Sequence, residues 1–316
     1  MYIPHSTAIP ANNPAMTVFL NGQFIPLEEA RVPVLDRGFI FGDGVYEMIP
    51  AYSRVPFRLP EHFARLRSSL AAVQMKDPYP ESRWAELIAR LIAENPWEDQ
   101  SIYLQITRGV APRDHSFKQL EPTVFIMSGQ LTTPPASQVE AGVPAITHED
   151  FRWLRCDIKS ISLLANCMLR TMATDAGCAE TILLRDGWLT EASSSNVLVV
   201  ANGVVLAPPK SHLMLPGITY DVVLELLEAH GMPHEIRPVR EAELRSAHEV
   251  WITSSSREVL AVTRLDDVPV GKGAAAGVPG PVFRAMYRHY QEYKSRVMRS
   301  GRSTDTAPNA SLTPRT

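Results

Sequence analysis

The chain has 316 residues, of which 45% are hydrophobic and 21% charged, the balance of a globular protein that can bury a sizeable core. Its length favours two domains, and its net charge of -3 gives no reason to expect nucleic acid or an anionic membrane as a partner. No segment approaches the roughly 20 apolar residues that span a bilayer, and the amino terminus lacks the pattern of a signal peptide. Three cysteines without metal-ligand spacing favour a reducing compartment, so we expect a cytoplasmic protein without a metal site.

Residues 17–133 are predicted to form a smaller α/β domain, preceded by an arm over residues 1–16. Asn21-Gly22 supplies the positive φ angles of a tight turn, which predicts a hairpin over residues 18–25. Residues 36–44 contain three glycines, so we expect a loop or a short irregular turn there. The other expected elements are a strand over 45–52 with Pro50 at an edge or bulge, helices over 60–76 and 81–95, and strands over 101–108 and 123–127.

The second half of the chain is predicted to form a larger domain over residues 141–299, followed by a disordered tail over residues 300–316. The consecutive prolines Pro134-Pro135 lie in a segment, residues 134–140, that we expect to link the two domains. The expected elements are helices over 163–176, from Pro216-Gly217 to about 230 and over 281–298, with strands over 180–184, 196–201, 204–206 and 249–253.

Residues 151–196 carry the residue types of a cofactor site. A basic, aromatic segment leads to Lys159, and Glu191 is followed closely by Ser193-Ser194-Ser195-Asn196. Taken alone, a lysine beside an aspartate is usually a surface residue, and a glutamate before three serines usually belongs to a turn. Together they supply an amine, a carboxylate and hydroxyl groups. A pyridoxal phosphate enzyme needs these groups for its aldehyde, its pyridine nitrogen and its phosphate.

Five ordered blocks between about residues 17 and 290 are more specific than this one stretch. They are Asp36-Arg37-Gly38 with residues 41–47, residues 107–109 with Pro112-Arg113 and His115, and residues 152–160, 191–196 and 215–219. In these blocks the chain resembles the fold-type IV pyridoxal phosphate enzymes, and among them the D-amino acid aminotransferases. The resemblance implies a two-domain α/β (α+β) fold with a larger pseudo-barrel domain and pyridoxal 5'-phosphate in the cleft between the domains.

The resemblance also implies roles for individual residues. Lys159 corresponds to the lysine that forms a Schiff base with the cofactor and moves a proton, and Glu191 to the carboxylate facing the pyridine nitrogen. Arg65 corresponds to a phosphate ligand, and Ser194 is the hydroxyl of its run that we expect to touch the cofactor. Further cofactor contacts are expected from Ser195, Asn196, Gly217, Ile218, Thr219, Ser254 and Ser255, where the start of a helix after Gly217 suits an anion.

Substrate binding is expected from Tyr46, Met48, Arg113 and His115. In the family that the chain resembles, the tyrosine, arginine and histidine bind the substrate carboxylate, and the last two reach in from the neighbouring subunit. The resemblance therefore implies a homodimer and a D-amino acid substrate. Asp114, which places an anion between the arginine and the histidine, and the flexible side chain of Met48 depart from the family pattern and leave the substrate range open.

The expected activity is a two-step transamination from a D-alanine-like donor to a 2-keto acid such as 2-oxoglutarate or pyruvate. An (R)-selective amine transaminase stays open as an alternative, because the same cofactor face serves donors without a carboxylate. Aminodeoxychorismate lyase, which shares the fold and the lysine, also stays open, whereas a branched-chain L-amino acid transaminase and a non-catalytic scaffold are less favoured. Motifs of zinc sites, phosphate-binding loops and serine hydrolases are absent from the sequence.

Overall fold

The computed structural model describes residues 16–116 and 119–300, which form two β-sheets with helices packed against them. The mixed α/β architecture expected from the sequence is confirmed. The expected arm and tail lie, apart from Met16 and Ser300, outside the described residues. None of the described helices is long and apolar enough to cross a membrane.

The first sheet has six strands in the order β2-β1-β6-β5-β3-β4, and all neighbours are antiparallel. Its elements are β1 Thr17–Leu20, β2 Gln23–Pro26, a 3₁₀ turn Leu27–Glu29, α1 Arg37–Phe41, β3 Gly44–Tyr52, β4 Val55–Pro56, α2 Leu59–Ala72, α3 Glu81–Glu94, β5 Gln100–Thr107 and β6 Thr123–Gln130. The predicted hairpin at Asn21-Gly22 is confirmed. Pro50 lies on β3, which has only the two-residue β4 beyond it, so the proline costs few ladder bonds.

The prediction of a loop over residues 36–44 was wrong in one respect, because α1 is a short helix. The Asp36 side chain accepts a hydrogen bond from the Gly38 amide at 2.8 Å, which caps the first turn. Gly42 ends the helix with a φ of 66°, a left-handed conformation that glycine adopts without steric cost. A helix of five residues is too short for the spacing of its apolar side chains to predict it from the sequence.

The apolar stripes of α2 and α3 cover one face of the first sheet. Phe63, Leu66 and Leu70 on α2 are at most 2% exposed, and they join Trp84 and Leu87 of α3 in one core with the inward residues of the strands. Side chains alternate along β3, so Glu47 points toward α2 while its neighbours on either side point to the opposite face. That opposite face is the one that lines the site described below.

The second sheet has nine strands in the order β12-β11-β10-β13-β14-β7-β8-β9, with β15 beside β14. Its elements are α4 Ala136–Ala141, β7 Val143–Glu149, α5 Leu164–Asp175, β8 Glu180–Arg185, β9 Trp188–Ala192, β10 Asn196–Ala201, β11 Val204–Ala207, α6 Ile218–Ala229, β12 His234–Ile236, α7 Glu241–Arg245, β13 Glu249–Ser254, β14 Glu258–Leu265, β15 Val268–Pro269, a 3₁₀ turn Gly273–Ala275, α8 Pro281–Tyr293 and a π-helical turn Lys294–Met298. Most of the expected linker, residues 134–140, is helical because it lies in α4. The division of the chain into two domains at this linker stays a prediction.

The second sheet curls, because its edge strand β9 returns to the interior strand β10. Ala192 at the end of β9 donates a backbone hydrogen bond to the Ser195 carbonyl at 2.8 Å, and β10 begins at the next residue. The serine run of the turn between these two strands and Glu191 line one cavity together with Tyr46 and Met48 of the first sheet.

Contacts of the Lys159 and Ser160 backbone attach the segment between β7 and α5 to the first sheet and to α2. The Tyr46 amide donates to the Lys159 carbonyl at 2.9 Å, and Val45 forms an isolated β-bridge with Ser160. The Lys159 amide in turn donates to the Ser69 hydroxyl of α2 at 3.1 Å. The segment that carries the lysine is thus held by β3 on one side and α2 on the other.

Candidate active site

A cavity of about 550 Å³ lies between the two sheets, a volume that suits a small cofactor together with a substrate. All but two of the residues that the sequence singled out line it. These are Tyr46, Met48, Arg65, Lys159, Glu191, Ser194, Ser195, Asn196, Gly217, Ile218, Thr219, Ser254 and Ser255. Their roles stay predictions, but the fold brings them to one place from well-separated segments of the chain.

Lys159 lines this cavity and is buried, with its amine 4.2 Å from the centre of the Tyr46 ring. Burial disfavours the ammonium form, and the positive charge of Arg65 adds to this effect, so the pKa of Lys159 falls to about 8. A lysine with that pKa is partly neutral near physiological pH. The side chain can therefore act as a nucleophile or accept a proton, which an ordinary surface lysine does poorly.

A buried group of Glu47, His62 and Arg65 joins β3 to α2, and its charges act on the lysine. Arg65 donates to both carboxylate oxygens of Glu47, at 2.8 and 2.7 Å, and His62 Nδ1 contacts the same carboxylate at 2.8 Å. Burial would raise the pKa of Glu47, yet Arg65 and His62 hold it well below its usual range. Arg65 also donates to the Pro216 carbonyl at 2.9 Å, which fixes its guanidinium beside the start of α6.

Glu191 lines the same cavity and is held by three donors. Arg152 forms a short ion pair with one carboxylate oxygen, while the Leu215 amide and the Asn196 side chain donate to the other at 3.1 and 3.2 Å. Burial raises the pKa of Glu191 to about 7, and the pull of Arg152 works against that rise. Arg152 is itself held by two hydrogen bonds of 2.9 Å to buried Asp150.

The three serines of the turn between β9 and β10 share one buried carboxylate. Ser194 and Ser195 donate to Glu180 Oε2 at 2.9 and 3.0 Å, and Ser193 makes a short hydrogen bond to Oε1. Glu180 is fully buried at the start of β8. Because each hydroxyl hydrogen is directed at Glu180, the serine oxygens present lone pairs to other partners.

The amino end of α6 provides an anion cradle at the same cavity. No side chain caps this helix at Gly217, which leaves its first amides available to a ligand. A side chain at Gly217 would lie 2.0 Å from Asn196 Oδ1, so the close approach of these two segments requires glycine. Buried Thr253 adds a hydroxyl without a hydrogen-bond partner among the described residues, next to Ser254 and Ser255. These unpaired donors suit a phosphate.

Arg113 and His115 do not line this cavity in the described chain. Both pack around Phe41 of α1, the guanidinium 5.3 Å and the imidazole 5.6 Å from its ring centre. Asp114 between them is exposed and accepts a hydrogen bond from the Ser116 amide at 3.0 Å. The expected contribution of this loop to a neighbouring subunit's site stays a prediction.

Sequence reasoning missed the buried partners of the site. Asp150, Arg152 and Glu180 organise Glu191 and the serine turn, yet none was singled out as a site residue. Glu180 begins a strand with an apolar run over residues 182–184, and a charge beside such a run is the one sequence signal that could have marked it. Arg152 and Glu191 are 39 residues apart, a separation that no local pattern connects.

The comparisons with known proteins agree with this geometry. The family model described as amino-transferase class IV matches residues 44–265. This chain belongs to the class IV aminotransferases. Among the relatives of this aminotransferase, the D-alanine aminotransferase of Bacillus licheniformis is 42% identical over 270 residues, which cover 85% of this chain and 94% of the relative. The D-alanine aminotransferase of Staphylococcus epidermidis is 38% identical over 278 residues, or 87% and 97% of the two chains.

Solved structures share the fold of this aminotransferase. A T.th. branched-chain amino acid aminotransferase with pyridoxamine 5'-phosphate aligns with a TM-score of 0.82 and 26% identity, covering 92% of this chain and 96% of that one. A fold IV-transaminase from Curtobacterium pusillum aligns with a TM-score of 0.72 and 25% identity, covering 84% and 93%. The predicted family and fold are thereby confirmed.

Replacing Glu180 with glutamine should lower the free energy of unfolding by about 1 to 3 kcal/mol, because an amide cannot accept from all three serines. Thermal or urea unfolding measures the loss. Glu149→Gln, an exposed change on the neighbouring strand β7, is the matched control and should leave stability unchanged. Equal stability of the two variants would contradict a structural role for the Glu180 carboxylate.

Proposed function

We propose that this aminotransferase uses pyridoxal 5'-phosphate to move the amino group of a D-amino acid, such as D-alanine, to a 2-keto acid. The observation that carries the proposal is that Lys159 and Glu191 line one cavity together with an uncapped helix end. The choice of D-amino acids rests on relatives named D-alanine aminotransferase, which are 36–42% identical over most of the chain.

The residues around the cavity fit pyridoxal phosphate at three points. The α6 amides, Thr219 and the hydroxyls at the end of β13 would hold the phosphate, with Arg65 adding its charge. Glu191 would accept a hydrogen bond from the pyridine nitrogen, and Lys159 would bind the aldehyde carbon. When bound, the cofactor supplies an electron-accepting ring that stabilises charge on the substrate Cα.

The chain's own contribution to the chemistry centres on Lys159. With a pKa of about 8, its amine accepts a proton from the substrate and returns it at a neighbouring atom without a large penalty for either charge state. Burial raises the pKa of Tyr46 to about 12, so its hydroxyl stays protonated and can donate to a substrate carboxylate. Arg152 favours the ionised form of Glu191, which a protonated ring nitrogen requires.

We further propose a homodimer in which each cavity receives Arg113 and His115 from the partner. Two observations support it. Both residues lie outside the cavity of their own chain, against Phe41. The segment that leads into and forms the helix of Phe41 exposes apolar side chains: Val34 is 72% and Phe39 76% exposed. Exposed apolar side chains on this scale usually mark an interface. The positive charge of Arg113 and a hydrogen bond from His115, delivered to the cavity beside Tyr46, would select donors that carry a carboxylate.

Lys159→Ala should abolish transfer from D-alanine to 2-oxoglutarate at saturating cofactor, because no other amine among the described residues is placed to bind the cofactor and move the proton. Lys210→Ala is a suitable control, since Lys210 is half-exposed and pairs only with Asp221 at the surface. Steady-state assays of both variants measure the effect. Full activity in the Lys159 variant would contradict the mechanism.

Sharing of sites can be tested by mixing two inactive variants, Lys159→Ala and Arg113→Ala. If Arg113 acts across the interface, each mixed dimer has one intact site, and a fully exchanged 1:1 mixture should recover about a quarter of the normal activity. Activity toward D-alanine is the readout, and each variant alone is the control. No recovery after verified subunit exchange would place Arg113 outside the partner's site.

A further inference from the structure

One face of α5 lines the cavity beyond the serine turn. Asn166, Cys167, Arg170 and Thr171 lie on this face, as their spacing along a helix requires, while Leu169 and Ala173 are buried on the other. The Asn166 amide donates to the Ser193 carbonyl at 2.9 Å and so ties the helix face to the turn. Arg170 therefore extends from a fixed wall of the active site.

Arg170 has no ion pair or side-chain hydrogen bond to any residue that the structure describes, and its Nη1 is buried without a partner. The other two arginines that line the cavity are both neutralised, Arg65 by Glu47 and Arg152 by Glu191 together with Asp150. A half-buried guanidinium without an anion loses hydration and gains nothing in return, so a ligand anion would stabilise it.

Glu180, the buried carboxylate beside the serine turn, already has hydrogen-bond partners and does not neutralise Arg170. Glu180 accepts three serine hydroxyls, and Arg257 lies 3.8 Å from its Oε2. The pKa of Arg257 is lowered first by burial and then by the positive charge of Arg170, although Glu180 opposes the shift. The end of the cavity near α5 thus carries excess positive charge.

We propose that Arg170 binds the side-chain carboxylate of a dicarboxylic substrate, that is, of a keto acid such as 2-oxoglutarate and of the D-amino acid formed from it. The proposal rests on the proposed transaminase function and names its preferred acceptor class. A planar guanidinium offers paired N–H groups that match a carboxylate. A monocarboxylic substrate such as pyruvate has no group to reach Arg170, so the residue determines specificity without taking part in the proton transfers.

The cofactor phosphate is the other anion that Arg170 could meet. Hydrogen-bond donors for the phosphate are already present at the start of α6. There Arg65 is held by its hydrogen bond to the Pro216 carbonyl. Arg170 lies on α5, which is tied to the serine turn, and its charge also acts on Arg257, which follows the hydroxyls at the end of β13. The experiment below separates the two anions.

The test compares acceptors with D-2-aminobutyrate as a common donor. Arg170→Gln should lower kcat/KM for 2-oxoglutarate about 10- to 100-fold, the effect of losing a charge-assisted hydrogen bond, and leave kcat/KM for pyruvate within about twofold. Arg170→Lys keeps the charge but loses the planar guanidinium. Its kcat/KM for 2-oxoglutarate should lie between the values of the unsubstituted protein and of Arg170→Gln. Arg83→Gln removes an exposed arginine of α3 and should change neither value.

An unchanged ratio of the two acceptors in Arg170→Gln would overturn the proposal. So would an equal loss for both acceptors together with weaker binding of pyridoxal phosphate, since that result assigns Arg170 to the phosphate. Calorimetry on the unsubstituted holoenzyme provides a readout without turnover: glutarate should bind at least about tenfold more tightly than butyrate, and equal binding would overturn the proposal. Failure of the proposed function is recognised separately, because the unsubstituted protein would then transfer no amino group to pyruvate.

Discussion

The burial of one amine organises this molecule. Lys159 lies where β3, α2 and the curled sheet meet, and its ammonium loses water there while Arg65 stands nearby with the same charge. Removing a charge from water costs several kcal/mol, so the amine titrates near neutral pH instead of remaining fully charged. The fold therefore produces a reactive lysine by its position between two sheets.

Three groups at the cavity are held by buried acids that do not line it themselves. Glu47 orients Arg65, Asp150 orients Arg152 and so Glu191, and Glu180 orients the serine turn. Such support fixes a ligand-binding group before the ligand arrives, which reduces the entropy lost on binding. Among the described arginines that line the cavity, Arg170 alone has no carboxylate partner. Its guanidinium is therefore available to a ligand anion.

Local sequence patterns were enough to predict most helices and strands. They were not enough to predict which residues meet at the site. The Asn21-Gly22 turn and the apolar stripe of α2 were correct because each follows from neighbouring residues alone. Helix α1 was missed because a side-chain cap by Asp36 and a terminal glycine, rather than apolar periodicity, stabilise it. Lys159 and Glu191 were singled out through a family resemblance. Glu180 and Asp150 escaped notice because their partners come from distant segments.

The most direct test of this account is a visible absorption spectrum of the purified holoenzyme, recorded before and after separate additions of D-alanine, L-alanine and (R)-1-phenylethylamine. The band of pyridoxal phosphate bound through Lys159 should disappear with D-alanine and persist with the other two compounds. Loss of the band with the amine alone would contradict the account, because it would mean that no group in the assembled site selects for a substrate carboxylate.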